Sequence, residues 1–250
     1  MTLVIAHRGA SGYRPEMTIP SYELALEQGA DGLEIDVRLT KDLELIGFHD
    51  RTTQRVANNN LNVSNSTLNE LKALKVTKDG FKSSIISMKE FFELAIDSNK
   101  ELTLCLETKH PTKFHGLLEN KLNELLTYFG LEKNLHKNIK IVLMSFNPFA
   151  VKRFSKLNPL IERVQLKEHN YPFLQFYPNP GNPSNIGPGI ELLHKKPNLI
   201  DYFQKRGKKI FVWTVNTEED MKFCLEHKID AIITNYPDIA LKVRKEFTGS

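Results

Sequence analysis

Glu34 and Asp36 stand two residues apart in GLEIDVRLT, a segment that is otherwise apolar and reads as a buried strand. Side chains at i and i+2 of a strand point to the same face, so both carboxylates project into one small volume. Two anions there repel each other and resist desolvation unless a cation neutralises them. A metal site is the natural reading, and a polar strand face is the bland one. Three further segments share the layout of an apolar strand ending in ionisable residues. Leu3–Ala6 runs into His7 and Arg8 ahead of Gly9, LELIGFHD ends in His49 and Asp50, and ELTLCLETK carries Glu107 and Lys109 on one face. Such strand ends are where α/β folds carry their chemistry. Each alone is more often a helix cap, a salt bridge or a solvated strand end; together they point to one site.

The chemistry these residues allow is specific. Glu34, Asp36 and Glu107 offer only oxygen ligands, a set that suits Mg²⁺ or Ca²⁺ rather than zinc. His7 and His49 flank them and can divide the work of general base and general acid, with the division left open. Arg8 can grip phosphate oxygens through a bidentate fork, and Lys109 adds a second positive charge. The other histidines fall in loop or helix contexts and read as structural.

Alternating strands and helices must position these groups, which argues for a parallel sheet with helices outside. Strands are expected at Leu3–His7, Gly32–Leu39 with Glu44–His49 as its extension, Glu101–Glu107, Lys140–Ser145, Arg163–Lys167, Ile186–Leu193, Lys209–Val215 and Ala231–Thr234. Helices are expected at Ile19–Gln28, Met88–Ser98, Thr112–Phe129, Pro148–Leu157, Asn198–Lys205, Glu218–His227 and Pro237–Phe247. Thr67…Glu70, Ser87…Glu90 and Thr217…Asp220 read as capping boxes. Eight strands give an α/β protein with a (β/α)₈ TIM barrel, one domain over residues 1–250. A polar stretch at about 51–86 forms a small insertion after the second strand. Residues 168–185, rich in Pro, Asn and aromatics, form a loop on the active-site rim.

Composition narrows the function. A chain of 250 residues fits one barrel. The net charge of +4 is spread along the chain, with no basic run or aromatic-basic interleaving, so nucleic acid is not expected as a partner. No stretch is long and apolar enough to span a membrane, so no stable membrane anchor is expected. Catalytic-type residues already at position 7, with no signal peptide before them, give a cytoplasmic expectation. The two cysteines, Cys105 and Cys224, read as core residues.

The combination of His7-Arg8-Gly9, Pro15-Glu16-Met17-Thr18, Gly29-Ala30, Glu34-Ile35-Asp36-Val37, Thr40-Lys41-Asp42, His49-Asp50 and Glu107-Thr108-Lys109 resembles the glycerophosphodiester phosphodiesterases. Trp213-Thr214-Val215-Asn216 and Thr234-Asn235-Tyr236-Pro237 extend the resemblance toward the C-terminus. Three positions depart from that pattern: Met17 in place of Asn, Leu43 in place of a turn Gly, and Val56-Ala57 in place of a Thr pair. The resemblance implies metal-dependent hydrolysis of small glycerophosphodiesters to glycerol 3-phosphate and an alcohol. It also implies that Trp213 borders the leaving-group pocket; Asn216 and Asn235 are expected as hydrogen-bonding rim residues. The alternative is phospholipase D-type cleavage of lysophospholipids or sphingomyelin, since sphingomyelinase D proteins share the His, Glu-x-Asp and T-N-Y-P elements. A silent phosphodiester sensor and a barrel lyase or aldolase fit the retained histidines and carboxylates less well.

Overall fold

Eight parallel strands close into a barrel wrapped by helices. The computed structural model describes residues 1–133, 136, 138–168 and 183–249. The strands in chain order are β1 (Leu3–His7), β2 (Gly32–Leu39), β3 (Leu45–Gly47), β4 (Val76–Lys78), β5 (Phe81–Ser83), β6 (Leu102–Thr108), β7 (Ile139–Ser145), β8 (Glu162–Lys167), β9 (Asn185–Pro188), β10 (Phe211–Val212) and β11 (Ala231–Thr234). Around the barrel β1 is followed by β2, β6, β7, β8, β9, β10 and β11, which pairs again with β1. Only single parallel bridges, Ile186 to Ile210 and Gly189 to Trp213, join β9 to β10. β3 folds back antiparallel on β2, as an extension of that strand.

The strands read as near-continuous apolar runs because both of their faces are covered. One face fills the barrel: Ile5, Cys105, Val142, Met144, Val164, Phe211 and Ile233 pack into a single interior cluster. The opposite face, with Leu33, Ile35, Val37, Leu104 and Leu106, packs against helices through Tyr22, Phe91, Phe92 and Leu122. The charged ends of β1, β2 and β6 therefore stand over an apolar floor.

Three expected elements differ, the first being the strand expected at Lys209–Val215, which is regular only over Phe211–Val212. Ile186–Leu193 is not one strand: β9 stops at Pro188, and Ile190–Lys195 is helical. Pro188 cannot donate to a ladder, and a short apolar run does not distinguish a buried strand from a buried helix. The helix expected at Thr112–Phe129 spans Leu117–Tyr128, entered through Gly116. The reciprocal capping boxes form at Thr67 and Ser87, whereas Thr217 accepts from the Asp220 N–H alone.

Residues 51–86 hold short helices at Gln54–Ala57 and Leu68–Lys72 and the β4–β5 hairpin. Asp79 and Gly80 turn the hairpin with φ of 48° and 82°, the Asp-Gly geometry that matches strand twist. Val63, Leu71, Val76 and Ile85 pack with Ile46 and Phe48 into a separate small core. Lys78 reaches the carbonyl of Ser11 beside the β1 end. No helix among the described residues is long and apolar enough to cross a membrane.

The helix Glu218–Glu226, which follows the end of β10, closes in a Schellman arrangement: Ile229 N–H donates to Cys224 O and Lys228 N–H to Leu225 O, both at 3.0 Å. Exposed Lys228 takes the left-handed position with φ 52°, where glycine is favoured. Lys228→Gly should raise the unfolding free energy by roughly 0.5–1 kcal/mol, the left-handed penalty less the added chain entropy. Urea denaturation measures it, and a lowered midpoint at equal slope would contradict the capping argument.

Candidate active site

Strand register assembles the site. β1 sets His7 opposite Glu34, and β6 sets Glu107 opposite Asp36. Oxygens of Glu34, Asp36 and Glu107 all lie within 4.8 Å of one another, and all three residues are buried. At that separation two unit charges repel by about 3–4 kcal/mol in an effective dielectric of ~20. Nearby cations offset part of this. Lys109 Nζ lies 2.6 Å from Glu107 Oε1 and 3.0 Å from Asp36 Oδ1. Arg8 Nε lies 3.0 Å from Asp36 Oδ2, and Arg8 N–H donates to Glu34 Oε2 at 3.0 Å.

The compensation is incomplete. Burial works to raise the Asp36 pKa, yet Lys109 and Arg8 hold it well below the usual carboxylate range. Burial, then the Asp36 charge, push Glu107 up to about 7 and Glu34 well above its ordinary value. Both oxygens of Asp36 are within ion-pair distance of cationic nitrogens, but neither accepts a well-aligned hydrogen bond. Buried carboxylate oxygens normally find partners. A buried, oxygen-only, under-neutralised trio fits a hard divalent cation.

The two histidines have different settings. His7 Nδ1 donates to Asn235 Oδ1 at 2.7 Å, an oxygen that also accepts from Ser11 Oγ. That bond leaves the lone pair of neutral His7 on Nε2, 3.9 Å from Glu34 Oε2. Burial, then Arg8, push the His7 imidazole down to about 4. His49 is more open: its Nδ1 is 2.8 Å from Asp50 Oδ1, and its carbonyl accepts from Arg38 Nε and Nη2. Burial lowers the His49 pKa against the opposing pull of Asp36.

Ion pairs link these settings. Arg8 Nη1 is 3.2 Å from Glu16 Oε1; Glu16 accepts from Arg55 Nη1 and Nη2, at 2.9 and 2.6 Å; Arg55 Nε donates to Asp50 Oδ2 at 2.6 Å. A continuous chain therefore runs from Asp36 through Arg8, Glu16, Arg55 and Asp50 to His49. Glu16 and Asp50 fall inside the sequence motifs without a role legible there, and Arg55 stands outside them. Their one signal was charge beside the His-bearing segments, and Arg55 meets Glu16 across 39 positions.

Trp213 donates to Gly187 O at 2.9 Å and meets Phe146 edge-on, centroids 5.2 Å apart, on the interior cluster. Asn235 stands behind His7, and Asn216 Oδ1 accepts from Asn235 N–H at 2.9 Å. His110, paired with Glu119, and His227, on Phe223 O, serve the scaffold. Most of the expected rim loop at 168–185, with His169, Tyr171, Phe173, Leu174, Phe176 and Tyr177, lies outside the described residues.

Residues 7–239 match the profile of the glycerophosphoryl diester phosphodiesterase family. A Mycobacterium tuberculosis protein named "Probable glycerophosphodiester phosphodiesterase 1" is 34% identical over 94% of this chain and 89% of its own. The glycerophosphodiester phosphodiesterase of Caldanaerobacter subterraneus subsp. tengcongensis is 33% identical over 98% of both chains. Among solved structures, an Oleispira antarctica phosphodiesterase in complex with sn-glycerol-3-phosphate superposes with a TM-score of 0.85 at 23% identity, covering 98% of this chain and 97% of that one.

The ion-pair chain turns on Glu16, the anion between two guanidiniums. Glu16→Gln should lower stability by roughly 1–2 kcal/mol, the value of charged hydrogen bonds discounted for the half-exposed Arg55. Urea denaturation reads this directly. A value within about 0.3 kcal/mol of wild type would mean that the chain contributes nothing to the fold.

Proposed function

The chain belongs to the glycerophosphoryl diester phosphodiesterase family, and from that premise we propose a metal-assisted, two-histidine hydrolysis of glycerophosphodiesters to glycerol 3-phosphate and an alcohol. The observation that carries this reading is the trio of buried carboxylates between two imidazoles and two cations. Glu34, Asp36 and Glu107 would hold a divalent cation, Mg²⁺ or Ca²⁺, which when bound supplies charge neutralisation for a phosphodiester.

Arg8 and Lys109 orient the phosphate oxygens by charge-assisted hydrogen bonds. One imidazole takes the proton of the glycerol 2-hydroxyl, whose oxygen forms a bond to phosphorus while the bond to the leaving alcohol breaks. The other imidazole gives that alcohol its proton. Water then opens the cyclic phosphate, its proton and hydroxide restoring the 2-hydroxyl and the phosphomonoester while the imidazoles return to their first states. Placing the hydroxyl beside phosphorus supplies a large proximity advantage. Trp213 borders the leaving alcohol, Asn235 fixes the ring of His7, and Asn216 braces Asn235 at the rim.

Mg²⁺ or Ca²⁺ added to chelator-treated protein should raise its melting temperature, because a ligand that binds only the folded state stabilises it. Asp36→Asn should abolish that shift. An equal shift in wild type and variant would remove the metal from these residues.

With glycerophosphocholine the products should be glycerol 3-phosphate and choline. His7→Ala and His49→Ala should each lower turnover by roughly two to four orders of magnitude, the usual value of a positioned acid or base. A substrate lacking the glycerol 2-hydroxyl should bind but react far more slowly. Phosphocholine as main product, read by phosphorus NMR, would overturn the reading; a fast deoxy substrate would make water the direct nucleophile.

A further inference from the structure

A cavity of about 370 Å³ opens beside the carboxylate trio, lined by Arg38, Arg51, Lys109 and Lys113 with Asn62 and Ser64. This size falls at the lower end of small-molecule pockets, roughly 300–1,000 Å³. Four cations line it and no Asp or Glu does. Gathering like charges in a cleft is unfavourable unless an anion fills it, and a cleft of one sign focuses the field on such a ligand.

The engagements of these cations separate the cavity from the reaction site it adjoins. Lys109 belongs to both, paired with Asp36 and Glu107. Among the described residues Arg38 bonds only a neutral acceptor, the His49 carbonyl, and Lys113 bonds the side-chain oxygen of Asn65 at 2.6 Å. Arg51 makes no side-chain hydrogen bond among the described residues, and none of Arg38, Arg51 and Lys113 forms an ion pair there. Among the described residues, three formal positive charges thus remain without a carboxylate in ion-pair contact. A carboxylate-bearing scaffold that needed them only for packing would be expected to neutralise them, as it does Lys140 and Lys209 through Glu162. Guanidinium forks with an ammonium match a tetrahedral oxyanion.

We propose that this cavity is a subsite for a second phosphate of the substrate, so that the preferred diesters carry another phosphate beyond the one that is cleaved. The proposal rests on the hydrolytic reading above and adds the substrate class to it. Lys109, shared between trio and cavity, sets the two phosphates side by side, as in glycerol units joined by successive phosphodiesters.

The test compares bis(glycerophospho)glycerol, with two phosphates, against glycerophosphoglycerol, with one. Wild-type kcat/KM should favour the former by about tenfold, well above the factor of about two that two scissile bonds supply. In Arg51→Gln/Lys113→Gln the ratio should fall to that factor. A wild-type ratio near two, or a ratio unchanged in the double variant, would overturn the subsite. Calorimetric titration of both proteins with the same two diesters separates this from the hydrolytic reading. If neither diester is cleaved, the hydrolytic reading fails. The subsite then stands only if wild type binds the two-phosphate compound more tightly and the double variant loses that preference.

Discussion

Mutual repulsion among three carboxylates held within 4.8 Å of one another in the barrel interior governs the mouth of this protein. They sit over an apolar floor, where water cannot screen them and burial disfavours their charge. Asp36 stays ionised because Lys109 and Arg8 stand 3.0 Å away on either side. Burial and then the Asp36 charge raise the pKa of Glu34 and Glu107, and Lys109, 2.6 Å from Glu107, offsets this only in part. The site is built with a deficit of positive charge.

That demand reaches into the backbone. Arg8 bends into the left-handed region, φ 59°, which lets its N–H meet Glu34 while its guanidinium turns to Asp36. Gly9 follows at φ 81°, where a Cβ would meet Ser21 at 2.5–2.7 Å. Met17 and Leu43 also take positive φ, 50° and 65°. These are two of the positions at which the motif pattern carries Asn and Gly, residues that enter this region at low cost. The chain keeps the turn geometry with side chains that do not favour it. Met17 N–H donates to Arg8 O at 3.0 Å, so one of these turns braces the Arg8 bend itself.

The insertion after β2 has its own small core around Leu71 and Val76 and adds charge rather than a strand to the barrel sheet. Arg55 ties Asp50 to Glu16, and Arg51 lines the basic cavity. The barrel strands and the loops after them therefore supply the acidic centre together with Arg8, Arg38, Lys109 and Lys113, and the insertion adds Arg51 and Arg55. This arrangement explains how a chain with a net charge of only +4 concentrates cations at one place.

Residue type and spacing alone determined most of the barrel strands and the pairing of Glu34 with Asp36. The i, i+2 rule places Glu34 with Asp36 and Glu107 with Lys109 whatever the rest of the chain does, and apolar runs buried on both faces leave few alternatives to a parallel barrel. Only tertiary structure decided the register that sets Glu107 opposite Asp36, the amide oxygen behind His7, and the chain of ion pairs from Arg8 to His49. Those contacts join residues up to 228 positions apart, and no local pattern encodes which distant partner a side chain meets. The strand-to-helix break at Pro188 belongs to the same class. An apolar run records that a segment is buried, and its packing partners decide which backbone conformation buries it.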